Sequence, residues 1–148
     1  MNNTLEQTAN SVSTTSSQPN WSAIADEFCA AWTSENGQPD FETLANFYAH
    51  DADVAIYDTL PPLEGFAGFN DLRSKIYDGL ERIATKRTGE VRLKILADGQ
   101  VVTAAYPIHH SYRFSDGRSY EIDARITQVW EKRDNGYRIV QEHPSTVY

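Results

Sequence analysis

The pair Asn135-Gly136 constrains the fold most, because it lies between two runs in which apolar and polar residues alternate. A tight hairpin of type I′ needs positive φ at both central residues, and Asn-Gly is a favoured pair there. The pair therefore predicts that residues 122–132 and 137–143 are neighbouring antiparallel strands.

Two further pairs, Asp98-Gly99 and Asp116-Gly117, divide the C-terminal half into four runs of period two: residues 90–97, 101–114, 119–132 and 137–143. Turn signals at near-equal spacing predict an antiparallel meander, and its long, twisted middle strands should curl. Pro107 lies inside the second run. A proline removes a ladder hydrogen bond, so we expect a β-bulge there.

The N-terminal half has helical spacing instead. Residues 21–33 form an amphipathic pattern with Asn20 as N-cap, and Asp40 caps a second helix. A third helix should follow Gly68, with an apolar face from Phe69 to Ile83. Residues 53–58 suggest a short strand. Helices followed by a sheet indicate an α+β fold, in which a curved antiparallel sheet wraps around the N-terminal helices as a cone with an open mouth.

The length of 148 residues fits one domain. Residues 1–19 are polar and have neither the basic start nor the apolar centre of a secretory signal. We interpret residues 1–19 as a disordered leader and residues 20–148 as the domain. Removing residues 1–18 should leave the melting temperature nearly unchanged.

The net charge of −8 argues against nucleic acid and anionic membranes as partners. No apolar run approaches the roughly 18 residues of a membrane span. The single Cys29 excludes an internal disulfide, and we expect a cytoplasmic protein. His109 and His110 point to opposite faces of a strand, so no tetrahedral metal site is expected. The sequence has no glycine-rich phosphate-binding loop, and we expect no cofactor.

Even-numbered residues of the middle strands form the apolar set and should face inward, with Val140 and Glu142 continuing that face in the last strand. Polar residues on this face suggest a ligand site, because buried polar groups need partners. The inward candidates for substrate binding are Tyr106, Tyr112, Ile126, Gln128 and Trp130. His110 could shuttle a proton or be a core histidine. Glu142 could be functional or a structural partner, and within hydrogen-bond reach it should raise the pKa of His110.

Three stretches resemble the nuclear transport factor 2-like superfamily, and within it the SnoaL-like and calmodulin-kinase association-domain-like group. They are ANFYAHDADV with Tyr57-Asp58 after it, Glu64-Gly65, and RITQVWEKRDNGYRIVQEHPS. The resemblance covers about residues 21–145. It implies a cone-shaped α+β domain, and the family includes isomerases, dehydratases, cyclases and non-catalytic assembly domains.

The resemblance places either Asp58 or its inward neighbour Ile56 where related isomerases carry a catalytic carboxylate, depending on a short gap. For Asp58 the alternative is an exposed turn carboxylate. The resemblance implies a cofactor-free acid/base enzyme in which Asp58, His110 and Glu142 act on a small, largely apolar substrate, with Tyr57 and Trp32 also contacting it. For Trp32 and Trp130 the alternative is a place in the core. The other class the resemblance allows is a non-catalytic ligand-binding or association domain. It further implies a homodimer built on the outward sheet face, where Arg125, Thr127 and Val129 should lie.

Overall fold

The computed structural model describes residues 18–51, 53–59, 65–75 and 78–146, so the predicted leader lies outside the described residues except for its end. The helices are α1 (Trp21–Ala31), α2 (Phe41–Leu44) and α3 (Phe69–Lys75), and the strands are β1 (Ala55–Tyr57), β2 (Gly65–Ala67), β3 (Leu80–Arg87), β4 (Arg92–Leu96), β5 (Val101–Phe114), β6 (Ser119–Arg133) and β7 (Gly136–Thr146). The predicted α+β class is confirmed.

The described strands form one sheet in the order β2-β1-β7-β6-β5-β3, with β4 also pairing β5. Hairpins join β5 to β6 and β6 to β7, as predicted. The sheet is nevertheless mixed, because β1 runs parallel to β7. At the last turn Gly136 has φ +108° while Asn135 does not have positive φ, so the predicted type I′ geometry is wrong although the hairpin is right.

The third helix is shorter than predicted, and its supposed end is strand β3. Leu80 and Ile83 both face the core although they are three residues apart, because the register with β5 shifts between Leu80 and Arg82. An extra residue in one strand is a β-bulge, and it produces a spacing that imitates a helix. The helical spacing in the sequence therefore continues from α3 into β3, although the two are separate elements.

A second bulge lies in β7 and corrects the predicted inward set. Gln141 pairs with Val129, but the next pair is Ile139 with Trp130, which leaves Val140 as the extra residue. Ile139 is consequently fully buried, and Val140 is half-buried rather than part of the core. Glu142 remains inward, as predicted.

The bulge predicted at Pro107 is absent, since β5 keeps one register with β6 from Val101 to Arg113. The Pro107 carbonyl accepts a hydrogen bond from Thr88 N, so the missing N–H points to the same side, away from β6. On that side β5 changes partner from β3 to β4. The proline thus costs no ladder bond, which explains why the strand tolerates it.

The core lies between the inward sheet face and the helices. Asn20 and Asp40 cap α1 and α2 through their side-chain oxygens, as predicted. The predicted inward residues of β5 and the central part of β6 are buried. Trp21 contacts Trp130 edge-on, and Phe28 contacts Tyr48, which fixes α1 against the sheet.

Candidate functional site

An apolar pocket opens between α1, α3, β1 and the inward sheet face. The apolar part of its wall comes from Phe28, Trp32, Ile56, Phe66, Leu72 and Ile126. Its polar lining consists of Asp58, Thr59, His110, Tyr112 and Glu142. The hollow measures about 400 Å³ including the part open to solvent, and the space that water-sized molecules can occupy is about 30 Å³. The three predicted acid/base residues therefore line the same pocket.

Glu142 lies deep in this wall, 5% exposed, opposite Gln128 in the β6–β7 ladder. Tyr48 Oη donates to its Oε1 at 2.9 Å, and Gln128 Nε2 donates to its Oε2 at 2.8 Å. Burial raises the pKa of Glu142 to about 7, against the lowering effect of those two hydrogen bonds. A carboxyl group that titrates near neutrality can both release and take up a proton.

His110 is buried in the centre of β5, and its Nδ1 lies 2.8 Å from Thr85 Oγ1 on β3. Burial lowers the pKa of His110 to about 4, and the neighbouring His109 adds to the effect. Glu142 forms hydrogen bonds with Tyr48 and Gln128 and none with His110, so it does not raise the pKa of His110. His110 is neutral at physiological pH.

Asp58 follows β1 directly and is half-buried at the pocket wall. Period two places Ile56 inward and Tyr57 outward, and Tyr57 is 47% exposed with its ring near that of His143. Tyr57 still contributes to the pocket lining. The chain turns inward again at Asp58 and Thr59, and Thr59 Oγ1 lies 3.3 Å from Tyr112 Oη.

The predicted substrate-binding residues separate into two groups. Trp32, Tyr57, Tyr112 and Ile126 line the pocket. Tyr106, Gln128 and Trp130 lie behind it, where Tyr106 Oη and Trp130 Nε1 both donate to Gln128 Oε1, at 3.0 and 3.3 Å. These three residues support Glu142 from the core, with Gln128 as the link.

Tyr48 and Thr85 are the functional candidates that the sequence analysis missed. Tyr48 follows α2 and continues its apolar spacing, so nothing local distinguishes it, yet an isolated bridge to Ile139 holds it beside β7 and Glu142. Thr85 lay in a segment for which no strand was predicted. The signal in the sequence was the two-residue spacing of Ile83 and Thr85, which puts both side chains on the same, buried face of β3.

Other chemistries find no support in the described residues. No group of three or more His, Cys, Asp and Glu side chains there is arranged to hold a metal ion. Burial raises the pKa of Cys29 to about 12, so its thiol stays protonated. No helix in the described part of the chain has the length and apolar character of a membrane span.

No protein-family model matches the sequence, and no curated protein is significantly similar to it. Solved structures do match. The fold is that of the nuclear transport factor 2-like superfamily: a superfamily protein from Salmonella enterica serovar Typhimurium aligns with TM-score 0.67 and 16% identity over 86% of each chain. Identities at this level establish the fold alone.

Two similar structures have different roles. The hexachlorocyclohexane dehydrochlorinase LinA-type3 from Novosphingobium barchaimii aligns with TM-score 0.63 and 15% identity over 86% of this chain and 88% of that one. The association domain of Caenorhabditis elegans calmodulin-dependent kinase II aligns with TM-score 0.59 and 16% identity over 85% and 92%. The fold thus accommodates both an enzyme and an assembly domain.

Proposed function

We propose that the chain is a cofactor-free enzyme that transfers a proton on a small, largely apolar substrate, as isomerases, dehydratases and cyclases do. The observation that carries this proposal is that Asp58, His110 and Glu142 all line one largely apolar pocket. Titratable groups in an apolar cleft are the usual basis of acid/base catalysis. The dehydrochlorinase among the similar structures supports an enzymatic use of this fold.

Asp58 is the general base in this proposal, because it lies at the pocket wall and keeps partial contact with solvent. Glu142 is the deeper acid/base group, and its pKa of about 7 suits either role at neutral pH. His110 is a neutral hydrogen-bonding group beside them. No step needs a metal ion or an organic cofactor.

The apolar wall and the limited volume define the substrate. Six large apolar side chains surround the polar lining, and the space between them for the centres of water-sized molecules is only about 30 Å³, so a bound molecule must be compact and lie partly in the open part of the hollow. A compact molecule with few polar groups fits these walls. A charged or extended substrate would bury unpaired polar atoms against them.

A thermal-shift screen of small carbonyl, hydroxyl and halogenated compounds would find ligands, and NMR would then follow their conversion. Asp58→Asn should lower the rate by about 10²- to 10⁴-fold, the typical contribution of a general base, without changing the unfolding midpoint. Asp53→Asn is the matched control, since Asp53 is exposed and does not line the pocket. Equal rates in the two variants would contradict the proposal.

A second candidate is a domain that binds a ligand and assembles without catalysis. The association domain among the similar structures favours it, as do the exposed apolar side chains of Leu93, Ile95 and Leu96 on β4. Under this alternative a compound would bind in the pocket without being converted, and Asp58→Asn would leave the affinity for that compound intact. In either case we propose a homodimer through the outward sheet face and a cytoplasmic location, where a free thiol such as Cys29 persists.

A further inference from the structure

Thr85 holds a buried hydroxyl group against His110. It lies on β3 directly opposite His110 in the antiparallel ladder, and it is 6% exposed. Its Oγ1 is 2.8 Å from Nδ1 of the imidazole. A hydroxyl can donate or accept, and an imidazole nitrogen can do either, so the direction of this bond determines which tautomer His110 adopts.

The distance fits either direction, and the burial of Thr85 favours its hydroxyl as the donor, because His110 reaches the pocket and Thr85 does not. Within the described residues, Nδ1 of His110 is the hydrogen-bond partner of Thr85 Oγ1. If Nδ1–H donated instead, the Thr85 O–H would be buried without an acceptor, which costs free energy. With Thr85 donating, Nδ1 carries the lone pair, and the single proton of the neutral ring is on Nε2.

The position of Thr85 is itself fixed from α1. Thr33 Oγ1 accepts from Thr85 N at 3.1 Å and lies 3.2 Å from Thr85 O. The same Thr33 hydroxyl reaches Cys29 O, one turn back in the helix. These contacts hold the backbone of β3 at the point where Thr85 faces His110.

The Nε2–H group is available to a bound molecule. His110 lines the pocket, and its Nε2 makes no hydrogen bond within residues 18–51, 53–59, 65–75 and 78–146. The ring is neutral because it is buried, with a pKa of about 4. A neutral imidazole with its proton on Nε2 is a hydrogen-bond donor at that atom and cannot act there as a base.

We propose that His110 donates a hydrogen bond from Nε2 to a carbonyl oxygen of the substrate, that Thr85 is the positioning residue that keeps the proton on Nε2, and that the substrate class is therefore small apolar ketones and aldehydes. This inference rests on the proposed proton-transfer function. A preorganised donor is most effective where negative charge develops on that oxygen.

The step balances without a co-reactant. The Asp58 carboxylate takes a proton from the carbon next to the carbonyl, and the electron pair of the broken C–H bond forms the carbon–carbon double bond. The carbonyl π pair moves to oxygen, where the Nε2–H group stabilises the enolate. Return of the proton to carbon regenerates the carbonyl and the ionised Asp58.

Nitrogen-15 NMR of the full chain tests the tautomer directly. Two-bond correlations from the ring C–H protons distinguish Nε2–H from Nδ1–H. We expect the Nε2–H tautomer in the wild-type chain and in Thr85→Ser, which keeps the hydroxyl. In Thr85→Val, which keeps the shape of the side chain but lacks the hydroxyl, we expect a population of the Nδ1–H tautomer. Nδ1–H in the wild-type chain, or Nε2–H unchanged in a folded Thr85→Val, would overturn the assignment of Thr85.

Carbonyl-labelled [¹³C]cyclopentanone tests the ligand class. Its carbonyl signal should move downfield on binding to the wild-type chain and to Thr85→Ser, and by less on binding to Thr85→Val. In D₂O the wild-type chain should exchange the α-hydrogens, and loss of the donor in His110→Ala should slow exchange on the order of 10²-fold. Absence of any carbonyl shift at saturating ketone would overturn the substrate class.

These readouts separate the two proposals. A wild-type chain with the Nε2–H tautomer and the carbonyl shift, but without α-hydrogen exchange above buffer, would contradict the enzymatic function and retain His110 as a carbonyl-binding donor. Exchange that depends on Asp58 but survives in a folded Thr85→Val at the wild-type rate would retain the enzyme and overturn the role given to Thr85.

Discussion

His109 and His110 are adjacent in β5, so their side chains lie on opposite faces of the sheet. Hydrogen bonds with Asp123 and Glu121 raise the pKa of His109, and burial lowers that of His110 to about 4. We predict that the two residues titrate on opposite sides of 6.5. Histidine C2–H shifts followed by NMR from about pH 3 to pH 8 measure both values.

Assignment of the two signals needs one variant on the outward face. His109→Gln should remove the higher titration and leave the lower one, because His110 depends on burial rather than on the surface carboxylates. A single titration near 6.5 for His110 would mean that solvent reaches its ring in solution.

Glu142 should make the protein less stable as the pH rises toward neutrality. Its folded pKa is about 7 and its ordinary value is 4.5, so between those values the native state holds a proton that the unfolded chain releases. Stability is therefore full below about pH 4.5 and falls as the pH rises through 7. The shift corresponds to a loss on the order of 3 kcal/mol.

Urea denaturation at several pH values tests this linkage. The free energy of unfolding of Glu142→Gln, relative to wild type, should rise between pH 4.5 and pH 7.5 by an amount on the order of 3 kcal/mol. A constant offset is expected as well, since the amide cannot accept from both Tyr48 and Gln128. Asp134→Asn, at an exposed turn, is the control and should show no such trend.

At the scale of elements, the sequence predicted hairpins well and bulges badly. Glycines at the two hairpins and period-two runs identify β5, β6 and β7, because turn geometry and pleat both act over a few residues. The bulges in β3 and β7 arise from register with a distant partner strand. Leu80 and Ile83, like Ile139 and Glu142, are three apart, and local spacing alone cannot distinguish such pairs from a helix.

Gly89 and Pro107 meet where β5 changes partner from β3 to β4, and this contact needs a residue without a side chain. A Cβ at Gly89 would lie 2.6 Å from Pro107 Cγ. We predict that Gly89→Ala destabilises the protein by about 1–3 kcal/mol through overpacking, measured by urea denaturation. The double variant Gly89→Ala/Pro107→Ala should recover most of the loss, since alanine lacks the clashing Cγ. Additive losses would show that the glycine acts through its backbone instead.

At the scale of the whole molecule, the sequence indicated which residues face inward and could not rank them. Parity alone placed Gln128, Glu142 and His110 on one face. The partition into a pocket lined by His110 and a core network around Gln128 depends on where Tyr48 and Thr85 lie, and both arrive from other parts of the chain. Contacts between distant segments leave no local periodicity in the sequence.

Residues 1–17 should be dispensable for stability, because their polar composition gives little apolar surface to bury. We place the end of the dispensable segment at residue 17 instead of residue 18. Gln18 Oε1 accepts a hydrogen bond from the buried Trp21 indole at 3.2 Å. Deleting residues 1–17 should leave the melting temperature nearly unchanged, and deleting Gln18 as well should lower the free energy of unfolding by about 1 kcal/mol. A large drop with the shorter deletion would contradict this boundary.

The outward sheet face carries an uncharged patch suited to a second copy of the chain. Thr103 pairs with Val129 and Ala105 with Thr127 across β5 and β6. These four residues, together the outward patch, lie on the face opposite the pocket, and Val129 is half-buried already. A twofold contact would place the patch against itself.

We predict a homodimer through the outward patch, so light scattering at micromolar concentration should give twice the chain mass of 16.7 kDa. Thr127→Glu should yield the monomer, because a twofold contact brings the two new carboxylates close together where burial makes an unpaired charge costly. Ser119→Glu adds the same charge at the exposed start of β6 and should leave the dimer intact. A monomeric wild-type chain, or a dimer that tolerates Thr127→Glu, would show that the outward patch is not the interface. In the second case the next surface to substitute is the exposed apolar side chains of β4, Leu93, Ile95 and Leu96.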